Sequence, residues 1–151
     1  METYATTTAL TKAEQRKTMA RALDIWANET NLKFNYVKSK KVSADIVINF
    51  FAGAHGDGQP FDGPSGTLAH ASLPTGGVVH FDDEEDWFLS SKGQEGGTEM
   101  FIVAAHEFGH TLGLDHTNVP GALMYPFYSY TPNLSLHKDD IEGIQSLYGK
   151  P

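Results

Sequence analysis

The chain has 151 residues, 40% apolar and 20% charged, a balance that suits one folded domain with a hydrophobic core and excludes a disordered polar chain. Eleven basic residues against nineteen acidic ones leave a formal charge of −8, without the basic excess that a nucleic-acid partner requires. No cysteine is present, which removes disulfides, thiolate metal sites and cysteine nucleophiles, and no apolar run is long enough to span a bilayer.

Taken in chain order, Thr11 and Glu14 form a capping box, and Met19, Leu23 and Trp26 follow at helical spacing, which predicts a helix from about Lys12 to Asn28. Leu32, Phe34 and Tyr36 alternate with polar residues and predict a half-buried strand. Asp45 to Phe51 is rich in β-branched and aromatic residues and predicts a more buried one. Residues 53–97 hold ten of the fifteen glycines and show little helical periodicity. So long an irregular stretch needs something other than its own apolar side chains to order it, and bound metal ions are the expectation. Helical patterning returns from Glu99 to about Leu112, with Met100, Val103, Ala104, Phe108 and Thr111 near one face. A last helix is expected from about Leu136 to Tyr148, capped by Ser135, with Ile141, Ile144, Leu147 and Tyr148 as its apolar stripe. The fold class is therefore α+β, with three helices, a β-sheet and a glycine-rich loop region ordered by metal.

Within the second helical segment stands His106-Glu107-Phe108-Gly109-His110. Positions i and i+4 leave one face of a helix a turn apart, so two imidazoles there can reach one zinc ion. Glu107 lies about 100° round the same helix, better placed for a water beside the metal than for ligation. His116 would face away on a continuous helix. It can join the pair only if the helix stops, and Gly113 supplies a residue that takes positive φ without steric cost at the required place. His55, Asp57, His70 and His80, scattered through the glycine-rich stretch, make a set of three histidines and one carboxylate that would close a tetrahedral zinc with no open position.

These residues carry a resemblance. HEFGHTLGLDH (106–116) resembles the long zinc signature of the metzincin endopeptidases, and Thr117 after it points to the matrixin, or matrix metalloproteinase, branch rather than to astacin-like or serralysin-like enzymes. The set HGD, LAHA and HFD around His55, His70 and His80 is similar to the structural zinc site of that family. The resemblance covers roughly Leu32 to Gly149. It implies a single metzincin-like catalytic domain over residues 1–151, with a twisted mixed sheet, and without the family's pro-segment or any C-terminal domain. It also implies hydrolysis of peptide bonds by a zinc-activated water, with Glu107 as general base and then acid, and two zinc ions, one catalytic and one structural.

Calcium is implied too, held by Asp62, Asp82 and Glu85 with carbonyls from Gly63, Ser65 and Thr67. Hard oxygen donors of this kind suit that ion. Val78 stands where many members carry an aspartate for a second calcium, so at least one calcium is expected. By the same resemblance Met124, within ALMYP, floors the catalytic zinc, and Asp139 and Asp140 correspond to a pair of which one braces that turn. The segment from Gly66 to Ala71 would be an edge strand onto which an extended peptide adds, Leu68 and Ala69 making the main-chain contacts. Ile102, Val103, Pro126 and Tyr128 would line the pocket for a medium or large apolar side chain after the scissile bond, although Ile102 and Val103 also suit a plain helix core. The expected partners are protein substrates and protein inhibitors, the expected state is a monomer, and the expected location is extracellular, secreted or at the cell surface. The competing reading is a metal-stabilised binding module without activity. The intact Glu107 argues against it, because holding zinc does not require that carboxylate. His137 is left over as an exposed residue.

Overall fold

The computed structural model describes residues 3–38, 42–92 and 96–151. Helix α1 (Lys12–Ala27) starts at the expected capping box: Thr11 accepts from the Glu14 backbone, and Glu14 reaches back to the Thr11 N–H. It buries Gln15, Thr18, Met19, Ala22 and Trp26, one face at helical spacing. Strands β1 (Val47–Phe51), β2 (Ala69–Ala71) and β3 (Val78–Asp82) form a mixed sheet of order β1-β3-β2, with β1 parallel and β2 antiparallel to β3. Two-residue strands β4 (Trp87–Phe88) and β5 (Thr98–Glu99) pair beside it, and α2 (Met100–Thr111) and α3 (Lys138–Tyr148) complete the elements.

The core lies between α1, α2 and the sheet. Trp26, Phe81, Trp87, Met100, Phe108 and Ile144 are fully buried there, and Phe50 stacks on Phe81 with ring centroids 5.0 Å apart. The Trp26 indole N–H donates to the Ala105 carbonyl at 2.9 Å, pinning α1 to the middle of α2. Truncating an aromatic so placed costs about 3–5 kcal/mol, so this contact fixes the rear of the helix that carries His106 and His110.

Two expectations need correction. Residues 32–36 keep the predicted alternation, with Leu32 and Phe34 half-buried against the core, but no strand forms there. The pattern reports half-burial, which packing against the core satisfies without a strand ladder. The last helix begins at Lys138, and its N-cap is His137 rather than Ser135: the exposed His137 Nδ1 accepts from the Asp139 N–H at 3.1 Å. Part of the glycine-rich stretch is also strand. β3 alternates Val79 and Phe81 into the core and presents His80 on the other face.

Candidate metal centre

Helix α2 opens with the Glu99 side chain capping the Ile102 N–H at 3.0 Å and ends where Gly113, at φ +106°, lets the chain turn back. The Gly113 and Leu114 N–H groups then donate to the carbonyls of His110 and Gly109 at 2.9 Å each. This reversal delivers His116, whose Nε2 sits 3.2 Å from that of His106 and 3.1 Å from that of His110. The Nδ1 atoms of His106 and His110 each lie 2.7 Å from a backbone carbonyl, of Leu123 and of Leu114. A carbonyl only accepts, so both Nδ1 atoms carry the proton and both Nε2 lone pairs point into the cluster. Burial lowers the His106 imidazole to about 4 and moves His110 in the same direction, which favours the neutral rings. Converging lone pairs without a proton between them fit a cation. A tetrahedral zinc with bonds of 2.0–2.1 Å sets its ligands roughly 3.3 Å apart, close to the separations found.

Glu107 is 7% exposed, and its Oε2 is one of two buried side-chain oxygens among the described residues with no hydrogen-bond partner. Burial pushes its carboxyl up to about 8, into the range where a proton is taken and returned near neutral pH. The three histidines and Glu107 line a groove of about 810 Å³ whose walls include Leu68, Ala69, Ile102, Val103, Pro126 and Tyr128. β2 is the outer strand of its sheet. The Tyr128 hydroxyl accepts from the Glu99 N–H at 3.0 Å, tying the wall to the start of α2.

Below the groove, Met124 is 2% exposed and presses on Gly109, where an added Cβ would come within 2.3 Å of the Met124 sulfur. The buried Asp140 carboxylate accepts from the N–H groups of Leu123 (2.8 Å), Met124 (3.0 Å) and His137 (3.0 Å). Since the Leu123 carbonyl also orients His106, Asp140 acts on the cluster through one residue of backbone. The acceptor carbonyls of Leu114 and Leu123 carry no side-chain signature, so residue types alone do not reveal them. Asp139 contributes only its N–H, to His137, among the contacts found.

A second cluster forms around Asp57. Antiparallel pairing sets His70 on β2 directly opposite His80 on β3, and the loop before β2 brings His55 and Asp57 to them. Asp57 Oδ2 lies 3.0 Å from His55 Nε2, 2.8 Å from His70 Nε2 and 2.9 Å from His80 Nδ1. A backbone hydrogen bond from Gln59 and the neighbouring His70 and His80 hold the Asp57 carboxyl far below its ordinary value, and burial lowers the His80 imidazole. His55 Nδ1 faces the Gly53 carbonyl at 2.9 Å and must donate to it, so in a neutral ring the Nε2 lone pair meets a carboxylate oxygen. Two acceptors so close need a cation between them. Phe51 and Phe61 stack on the His55 ring at 5.0 and 4.9 Å. Among the described residues, these two histidine sets are the groups whose donor atoms all converge within 4.8 Å.

Asp62, Asp82 and Glu85 do not converge to that distance. Asp62 accepts from the Thr67 N–H at 2.7 Å, and Glu85 from the Ser65 N–H at 2.6 Å and the Thr98 hydroxyl at 3.1 Å. Asp82 is fully buried, and its Oδ2 is the second partnerless oxygen.

The chain matches the family described as Matrixin over residues 1–149. It is 47% identical to human matrix metalloproteinase-16 over 148 residues, 91% of this chain and 24% of that protein. It is 49% identical to rat stromelysin-3 over 145 residues, 94% of this chain and 28% of that protein. The chain thus spans about a quarter of the length of the curated relatives it matches. With two histidine-rich metal sites on an α+β scaffold and a family match across nearly its whole length, the chain belongs to the matrixin family of metalloendopeptidases.

Proposed function

We propose that the chain is a zinc-dependent endopeptidase domain with Glu107 as its general base and acid. The observation that supports this best is the union, at one groove, of three imidazoles whose lone pairs converge and a buried carboxylate with an unpartnered oxygen. His106, His110 and His116 would hold a zinc ion, which would supply Lewis-acid polarisation of the scissile carbonyl and ease deprotonation of the attacking water. Glu107 takes the proton from the attacking water and returns it to the leaving amine. The Nδ1–H bonds aim His106 and His110, and burial favours their neutral form. Met124 and Gly113 hold the cluster's floor and its turn, and Asp140 fixes the backbone behind His106.

An extended substrate adds along the outer edge of β2, with Leu68 and Ala69 in main-chain contact. A medium or large apolar side chain after the scissile bond enters between Ile102, Val103, Pro126 and Tyr128. His55, Asp57, His70 and His80 hold a structural zinc, closed because the carboxylate takes the fourth position. Asp62, Asp82 and Glu85, with carbonyls of Gly63, Ser65 and Thr67, hold a calcium; the orphaned, fully buried Asp82 oxygen fits that assignment. Extracellular protein substrates, protein inhibitors and a monomeric state complete the reading.

The test is cleavage of a quenched fluorogenic peptide with leucine after the scissile bond, comparing wild type with Glu107→Ala and measuring zinc in both. The expected result is a roughly 10²- to 10⁴-fold loss of kcat in the mutant with two zinc ions retained. Wild type that holds its zinc yet cleaves nothing in a diverse peptide library would overturn the proposal.

A further inference from the structure

The net charge of −8 conceals a segregation. Eight of the eleven basic residues but only four of the nineteen acidic ones fall within residues 1–41, which leaves three basic against fifteen acidic residues in the other 110. The structure lays much of this excess on one exposed surface. Lys12, Arg16, Lys17 and Arg21 stand on the solvent side of α1, opposite the face that buries Met19, Ala22 and Trp26 against α2. Lys12 to Arg21 spans about 13.5 Å of helix at 1.5 Å per residue. The segment after the helix lies alongside, since the Arg16 guanidinium sits 4.8 Å over the Tyr36 ring, and Lys33 and Lys38 on that segment are exposed.

Among the described residues, Lys12, Lys17, Arg21, Lys33 and Lys38 form no ion pair; Lys12 and Arg21 only lie over the rings of Tyr4 and Phe101. Of the acids nearby, Glu14 is taken by Lys92 at 2.8 Å, leaving Asp24 and Glu29 against the array. Unpaired like charges gathered on one face of an acidic protein repel one another. Their field draws in anions, and each bound phosphate or sulfate relieves that repulsion.

We propose that the outer face of α1 and the adjoining 33–38 segment form a docking surface for a linear sulfated polysaccharide. Electrostatic complementarity supplies the attraction, and the shape selects the occupant. On α1 the exposed positions among the cations are Ala13, Ala20 and Asp24. On the adjoining segment the exposed apolar side chains are Tyr36, under the Arg16 guanidinium, and Val37, well short of the continuous apolar face that enters a bilayer. A convex helix face brings its cations to a flexible chain that can curve around it better than to a flat headgroup plane. This face lies behind α2 from the groove, so a bound polysaccharide leaves the metal cluster accessible and would tether the domain while it works.

The test uses the whole chain with its metals, heparin as the probe and about 0.15 M NaCl at neutral pH. Wild type is expected to be retained and released by added salt. A Lys12→Gln, Lys17→Gln, Lys33→Gln, Lys38→Gln variant should bind at least tenfold more weakly, with a flatter salt dependence and an unchanged melting temperature. A Lys138→Gln, Lys150→Gln control should bind as wild type does. Flow-through of the wild type, or equal loss in the control, overturns the proposal. So does binding to phosphatidylserine vesicles at least as tight as to heparin.

Discussion

The two histidine clusters use the same donors to opposite ends. Around Asp57 the imidazoles come from a loop and two paired strands, and the carboxylate reaches all three rings within 3.0 Å, so it belongs to the donor set. Around His106 two ligands share one helix and the third returns from the turn at Gly113, while Glu107, one residue along, faces the groove without joining the set. Where a carboxylate stands relative to three imidazoles separates a site that holds the chain from one that can act on another molecule. A helix turns Glu107 about 100° away from His106, whereas a bend at Gly56, φ +93°, brings Asp57 back onto His55 two residues earlier. The local backbone makes the distinction.

Substitutions can break that comparison. The largest expected contrast is between Asp57→Ala and His116→Ala. Asp57→Ala should lose one of two zinc ions and lower the melting temperature by about 10 °C, the scale of several kcal/mol in a domain of this size. His116→Ala should abolish peptide cleavage with a smaller thermal shift, because His116 is exposed and ends no sheet. Metal analysis with calorimetry reads both, and equal thermal shifts would erase the division of labour.

Next comes Asp140→Ala, which strips a buried carboxylate from three backbone N–H groups. At about 1.5–3 kcal/mol for a hydrogen bond to a charged group, a loss of about 5 kcal/mol is expected by denaturant titration. A fall in kcat larger than in Asp139→Ala should accompany it. An Asp140→Ala enzyme with wild-type kcat would remove the Leu123 carbonyl from the account of how His106 is aimed.

The smallest effect lies far from both clusters. Lys92 beside Glu14, with the Thr11 N–H, holds the Glu14 carboxyl down at about 2, against 4.5 for an ordinary glutamate. A carboxyl whose folded pKa lies below its unfolded one stabilises fully above about pH 4.5 and loses that contribution as pH falls towards 2. Glu14→Gln should therefore melt slightly lower than wild type at pH 7, and the gap should close between pH 5 and 2. A gap that widens on acidification would contradict the capping-box role. Glu14 is exposed to solvent, so this contribution stays small beside either metal set.

Much of the site was legible in the linear chain because its logic is local. Spacing of four on a helix, a glycine where reversal is needed, and a histidine six residues on specify the His106, His110 and His116 set before any tertiary contact forms. The capping box at Thr11 and the helical stripes of α1 and α2 are equally local. The pattern at Leu32, Phe34 and Tyr36 misled because alternation records which side chains are half-buried and not whether a neighbouring strand is there to pair. His137 was missed as a cap because an imidazole rarely takes that role; only the position of the Asp139 N–H reveals it. β3 was obscured by the glycines and acids around it.

The sequence by itself determined which side chains can hold metal and which carboxylate stands apart from the three imidazoles, since residue type and short-range spacing carry that information. Only the tertiary structure decided that the Leu123 and Leu114 carbonyls orient two of the imidazoles, that Asp140 holds the backbone behind them, and that Asp82 is buried with an oxygen left over. Those contacts join residues 16 or 17 apart in sequence, or use main-chain atoms that every residue possesses. The chain has to fold before they exist.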